Sequence, residues 1–359
     1  MPPEAGAGAV APGAALRTAL RAIADGRRLS ADEAADAFAA VVAGEATPGQ
    51  IGALLMGLRV RGETIEELTG VVRAVRHAMV PLAADHPDDL VDTCGTGGGA
   101  VTTFNVSTVA AFVAVGAGVR VAKHGNRSYT SQCGSADVLE ALGISLSPPA
   151  SSLSQVLAEA GLVFMFAPQM HPAMRHVAPV RRELGVTTVM NLVGPLSNPA
   201  SAGRQVVGVG DAARLTIVAG ALGTLGTTHA LVVYGEPGLD EISPLGPTRV
   251  VEVRAGKALN EEWVIDPNRY GLGGATVADL ACGDPRVNAA IAIDLLSGRG
   301  AAGARAAVIL NAAAAVYVSG RTATYAEAID RARYSLETGC GLAAFDRMKA
   351  AYARAEQRA

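Results

Sequence analysis

Three short stretches of the chain combine residue types suited to anion and metal chemistry. The first is Asp92-Thr93-Cys94-Gly95-Thr96-Gly97-Gly98-Gly99, with Thr103, Asn105, Val106, Ser107 and Thr108 soon after it. Glycine lets backbone N–H groups approach an anion closely, and a helix starting at Asn105 would add the partial positive charge of its N-terminus. Asn105 suits an N-cap, and Ser107 and Thr108 would carry hydroxyls in the first turn. The run matches neither the G-x-x-x-x-G-K-[ST] nor the G-x-G-x-x-G pattern, so by itself it is equally readable as a tight turn. The second stretch is Lys123-His124-Gly125-Asn126-Arg127-Ser128-Tyr129-Thr130-Ser131, closed by Gly134-Ser135. It crowds cations and hydroxyls together, as phosphate recognition requires. The third is Gly238-Leu239-Asp240-Glu241-Ile242-Ser243. Adjacent carboxylates on a loop can bind Mg²⁺, although alone such a pair is commonly a solvated turn.

Each stretch follows an apolar run that reads as a buried strand. Strands are expected at 90–93, 119–123, 162–167, 205–210 and 229–235, with helices at 106–117, 135–142 and 212–222. This alternation predicts a mainly parallel sheet flanked by helices, with the polar loops at the edge where ligands bind. Residues 248–253 and 262–265 read as an antiparallel addition, and helices at 286–296, 304–318 and 325–337 are expected to close the chain. The N-terminal part is different. Leu16, Leu20 and Ile23 recur at helical spacing, Ser30–Glu33 and Thr64–Glu67 are capping boxes, and Thr47-Pro48 marks another helix start. The expected fold is therefore α/β: a small helical bundle over 14–85, a large α/β domain over 86–359, and a disordered tail over 1–13. Residues 81–87 read as the linker.

Composition narrows the function classes. The 359 residues are half apolar, with 18% charged and a net charge of −3, which offers no basic field for nucleic acid. None of Cys94, Cys133, Cys282 and Cys340 lies in a C-x-x-C, and no histidine pair has zinc spacing, so reduced thiols in a cytoplasmic protein are expected. The tail lacks the basic start of a signal peptide. The uncharged stretches 95–119 and 215–235 are broken by Gly, Thr, Ser or Asn and suit buried strand–helix units better than membrane spans.

Seven runs, 92–98, 105–108, 123–127, 134–143, 171–181, 191–200 and 238–243, together resemble the anthranilate phosphoribosyltransferase family, which acts at the second step of tryptophan biosynthesis. The likeness extends from about Ser30 to the C-terminus. It implies a fold shared with class II nucleoside phosphorylases, in which the helical domain also takes in a segment near 172–195. It implies transfer of phosphoribose from 5-phosphoribosyl 1-pyrophosphate (PRPP) to anthranilate, two Mg²⁺ per site, and a homodimer formed through the helical domain. The resemblance assigns PRPP to Gly95, Gly98, Gly99, Thr103, Asn105, Val106, Ser107, Thr108, to Lys123 through Ser131, and to Ser135. It assigns anthranilate to Gly95, Asn126, His171 and Arg181, and metal to Ser107, Asp240 and Glu241. Catalysis would rest on Lys123, Asn126 and Arg181, with no protein nucleophile. The chain departs from the family pattern at Gly99 and Pro237, where aspartate is usual, and at Tyr129-Thr130-Ser131. A related transferase with another aromatic acceptor, or a nucleoside phosphorylase-like enzyme, shares much of this pattern. A nucleic-acid-binding paralogue would lack the Asp240–Glu241 pair and carry a basic stripe.

Overall fold

The computed structural model describes residues 12–128 and 132–358. It divides into two compact units: one up to Met79 joined by His171–Val193, the other Val80–Met170 joined by Gly194–Ala359. The fold is the expected one, a helical bundle and a mainly parallel sheet flanked by helices. Residues 80–85, expected in the helical part, belong instead to the α/β unit. Val80 N donates to Met170 O and Leu82 N to Pro199 O, at 2.8 and 2.9 Å.

The helical unit is built from helices Pro12–Ala24, Ala31–Val42, Pro48–Arg61 and Ile65–His77. The first helix takes in Pro12 and Gly13, which composition alone assigns to the tail. Reciprocal capping boxes at Ser30, Thr47 and Thr64 satisfy the first N–H groups of the other three. Glu67 is fully buried and its carboxylate is satisfied by Leu29 N (2.9 Å), Thr64 N (3.0 Å) and the Arg61 guanidinium. The later segment adds a 3₁₀ turn, Pro172–His176, and the helix Ala178–Leu184, while the helix Val189–Leu196 runs across the division.

The α/β unit carries seven strands: β1 (Leu90–Asp92), β2 (Arg120–Gly125), β3 (Leu162–Phe166), β4 (Arg204–Gly208), β5 (His229–Gly235), β6 (Thr248–Arg254) and β7 (Lys257–Ile265). Their order is β3-β2-β1-β4-β5-β6-β7. The first five are parallel, and β6 and β7 add on antiparallel. Continuous apolar runs such as Leu231–Val233 suit strands covered on both faces. Three closing helices appear near the expected positions, Pro285–Leu296, Ala302–Val318 and Tyr325–Glu337. A fourth, Cys340–Gln357, and a crossover helix, Ala150–Ala160, were not anticipated. The fourth protects the edge strand β3: the Tyr352 hydroxyl donates to Phe164 O (2.7 Å) and accepts from Phe164 N (3.0 Å). At the other end of the sheet Trp263, the single tryptophan, donates to Glu252 (3.2 Å) and lies edge-on to Tyr317 and Tyr325. Among the described residues no helix is long and apolar enough to cross a membrane.

The chain leaves β1 toward β2 on one side, while β4 pairs on the other. The carboxyl ends of β1 and β4 therefore form a switch point, where parallel sheets hold ligands. The loops after β1 and β5 meet there across the end of β4, because β4 ends in Gly208. A Cβ on that residue would overlap the Asp240 carbonyl. Gly208→Ala is expected to lower stability by about 1–3 kcal/mol through overpacking, read as a lower denaturant midpoint at unchanged m.

Candidate active site

The loop after β1 turns sharply at Gly97 and Gly98, whose φ angles of 71° and 80° lie in the left-handed region. Thr96 N donates to Gly208 O (2.8 Å) and Ala100 N to Gly238 O (2.7 Å), tying the loop to the ends of β4 and β5. The Asp240 carboxylate nests within it. A Cβ at Gly95 would come within 2.6 Å of Asp240 Oδ2, and one at Gly99 within 2.6 Å of the Gly238 carbonyl. The Gly99 departure thus sits where the loop passes closest to the 238–240 backbone.

Both acidic residues engage N–H or O–H donors. Asp240 Oδ2 accepts from Gly97 N (2.7 Å). Glu241 Oε1 accepts from Ser107 N (3.2 Å), and its Oε2 accepts from the Thr103 hydroxyl (3.1 Å). Burial raises the Asp240 carboxyl and pushes Glu241 up to about 8, with the Asp240 charge adding to the second shift. Both side chains still reach solvent, which tempers the shift. Beneath them lies Lys123, only 4% exposed. Its ammonium donates to Thr93 O (2.5 Å), Thr93 Oγ1 (3.2 Å) and Ser107 Oγ (3.1 Å). Burial lowers the ammonium's pKa, against the pull of Asp92 and Glu241. Asp92 is fully buried and raised to about 6 by burial. Its oxygens accept from Asn198 Nδ2 (2.6 Å) and His124 N (3.2 Å).

Gly95, Thr103, Ser107, Lys123, Asp240 and Glu241 therefore converge. Several other expected site residues are held differently. Asn105 makes no side-chain cap: its amide donates to Cys133 O (3.2 Å) and its Oδ1 accepts from Asn288 (3.0 Å). Val106 N is taken by Phe104 O and Thr108 N by Asn105 O, and both side chains are buried. Arg127 pairs with Asp137 (2.9 Å) and Glu140 (2.6 Å), so its charge is largely met within this chain. His124 is buried with Nδ1 3.2 Å from Gly194 O. Asn126 and Ser135 bond to each other through the Asn126 carbonyl (3.2 Å), and Gly125 packs against Ser135 and Phe164. Ser128 N donates to Asp137 (3.2 Å). Tyr129, Thr130 and Ser131 lie outside the described residues. His171 and Arg181 belong to the helical unit, the histidine buried before Pro172 and the arginine in the last turn of Ala178–Leu184.

Three buried asparagines that support the site, Asn198, Asn288 and Asn311, were not among the expected residues. Asn311 stands in the apolar run of Ala302–Val318. It clasps the residue after Glu241, accepting from Ile242 N and donating to Ile242 O, both at 2.9 Å. A lone amide in a buried Ala/Val/Leu helix was the available signal.

The pattern described as "Glycosyl transferase family, a/b domain" matches residues 87–342, and "Glycosyl transferase family, helical bundle domain" matches 17–79. The anthranilate phosphoribosyltransferase of Rubrobacter xylanophilus is 50% identical over 332 residues, 92% of this chain and 96% of that protein. The chain belongs to the anthranilate phosphoribosyltransferase family. A crystal structure of the Thermus thermophilus enzyme of this name superposes with a TM-score of 0.88 at 42% identity, covering 93% of this chain and 99% of that one. The Saccharomyces cerevisiae enzyme in complex with PRPP and Mg gives 0.86 at 26% identity, covering 95% and 98%. The family match favours the transferase over the phosphorylase-like alternative.

Asn311→Leu leaves the Ile242 N–H and carbonyl without their amide partner and is expected to cost about 2–3 kcal/mol, measured by chemical denaturation. The raised carboxyls set the pH dependence. The folded state holds these protons to higher pH than the unfolded chain, so their stabilising contribution is complete below the unfolded carboxyl range. It is lost as pH rises through about 6 for Asp92 and about 8 for Glu241. Metal-free protein is expected to lose stability between about pH 4 and 8, and Glu241→Gln is expected to reduce that slope throughout and to remove most of it above about pH 6.

Proposed function

We propose that the chain transfers the phosphoribosyl group of PRPP to anthranilate at this strand-end site, releasing pyrophosphate. The observation that supports the placement is the meeting, at the switch point, of a glycine loop, a helix start and an acidic pair around shared N–H groups. Backbone N–H groups of Gly97 and Ser107 and the Thr103 hydroxyl would receive diphosphate oxygens, with Gly95, Gly98, Gly99, Asn126 and Ser135 completing the donor surface. Lys123 would hold the Ser107 hydroxyl and the Thr93 carbonyl in place from below. Arg181 is assigned to the acceptor because a guanidinium matches a carboxylate bidentately.

The residues fit a hard divalent cation. Among the described residues no group of three or more His, Cys, Asp or Glu forms a closed metal cage. Mg²⁺ asks instead for one or two carboxylates plus substrate oxygens, and burial raises the Asp240 and Glu241 carboxyls, so that a bound cation would favour their ionised form. With the Ser107 hydroxyl they would hold Mg²⁺, two ions per site by the family resemblance. Bound there, Mg²⁺ would neutralise charge on the departing diphosphate. The reading extends to a cytoplasmic homodimer joined through the helical unit, supported by four cysteines that form no disulfide and by Val60, 82% exposed on Pro48–Arg61.

The reaction breaks the bond from the anomeric carbon to the diphosphate oxygen and forms one to the amine nitrogen, which then gives up a proton. An aromatic amine is already neutral at pH 7, so positioning matters more than deprotonation. Thiol catalysis is disfavoured. Burial, reinforced by Asp92, pushes the Cys94 thiol up to about 12, and burial pushes Cys133 up to about 11.

Anthranilate consumption, followed by fluorescence with PRPP and Mg²⁺, tests the function. Turnover is expected with anthranilate, and phosphate-dependent nucleoside cleavage is not. The double variant Cys94→Ala/Cys133→Ala is expected to keep most of the wild-type kcat. Total loss in a folded double variant would refute the mechanism without a protein nucleophile.

A further inference from the structure

The acidic pair does not stand apart from the anion cradle; it fills it. Asp240 sits on the Gly97 N–H, and Glu241 spans the Ser107 N–H and the Thr103 hydroxyl. A carboxylate oxygen and a phosphate oxygen ask the same thing of a donor, so the pair and an incoming diphosphate compete for the same three groups. Behind the pair, away from the Gly97 and Thr103 donors, lies only a void of about 20 Å³ lined by Asp240, Glu241, Asn311 and the apolar Ala110, Val206 and Val233, the space of a single water. The backbone behind the pair is fixed as well, with Asn311 on Ile242 and the Gly208 contact on the Asp240 carbonyl.

We propose that Asp240 and Glu241 act as a specificity filter, standing in for phosphate oxygens and excluding diphosphates that arrive without a divalent cation. The inference rests on the reading of this pair as metal ligands. A metal-free anion finds the three donors already taken and must break three hydrogen bonds, with nothing offered to the displaced carboxyl groups. A cation-bearing diphosphate supplies a partner for the carboxylates, and the freed donors pass to its oxygens. Hydrogen bonds are then exchanged one for one. The same two residues thus serve opposite ends: they attract the metal-bound donor and reject the bare anion.

A pure ligand role and a filter predict opposite signs in one measurement. Pyrophosphate is titrated calorimetrically into the full chain, first with chelator present and then with excess Mg²⁺, for the wild type and for Asp240→Ala and Glu241→Ala. The filter requires that metal-free pyrophosphate bind the variants at least about tenfold more tightly than the wild type, from release of the donors that the removed carboxyl group holds, while the Mg²⁺-dependent binding weakens. If Mg²⁺-dependent binding weakens but metal-free binding does not improve, the pair are ligands only and the filter is overturned. If Mg²⁺-dependent binding is untouched, the metal-ligand reading falls and the filter with it. Glu241→Gln, which keeps the volume but not the charge, guards against misfolding, and thermal melts are run on all variants. Its metal-free affinity is expected between those of the wild type and Glu241→Ala, and no gain in either variant counts against the filter.

Discussion

Direct contact between backbones, with no side chain interposed, is what the site depends on. The Asp240 carbonyl lies against Gly208 at the end of β4, and the Gly99 and Gly238 segments also pass too close to admit a side chain. Parallel strands are spaced roughly 4.8 Å apart, so loops from β1 and β5, with β4 between them, would ordinarily be kept apart by whatever β4 carries. Ending β4 in glycine removes that barrier. The acidic pair can then reach donors that belong to a loop more than a hundred residues earlier in the chain.

Around this contact the charges are few and mutually dependent. Asp92, Lys123, Asp240 and Glu241 share an apolar setting, and each alters the ionisation of at least one other. Neutral amides finish the arrangement: Asn198 on Asp92, Asn288 on Asn105 and Asn311 on Ile242. An amide supplies both donor and acceptor without adding a further charge to be desolvated. That property fits it for buried scaffolding beside groups whose charge is needed elsewhere.

Local signals carried much of the sequence reading. The capping boxes at Ser30 and Thr64 stood where the sequence placed them, and the apolar strand runs appeared within a few residues of expectation. What was not legible depends on tertiary partners. Arg127 reads as an anion ligand, yet the following helix returns Asp137 and Glu140 to it. Asn105 has the residue type of a cap, but Cys133 and Asn288 claim its side chain. The helix Cys340–Gln357 buries Phe345, Met348 and Tyr352 at helical spacing, and its alanines and scattered charges diluted that stripe. The acidic pair was visible as a pair, but not that it would lie on the glycine loop's own N–H groups.

The lone Trp263 stands at the antiparallel end of the sheet, among Tyr317, Tyr325 and Glu252. The helical unit contains no indole at all. Intrinsic tryptophan emission is therefore an observer posted in one room of a two-room house. A melting curve recorded at that wavelength follows the α/β unit and is blind to the bundle, so cooperativity between the two has to be judged with a second, helix-sensitive signal such as circular dichroism.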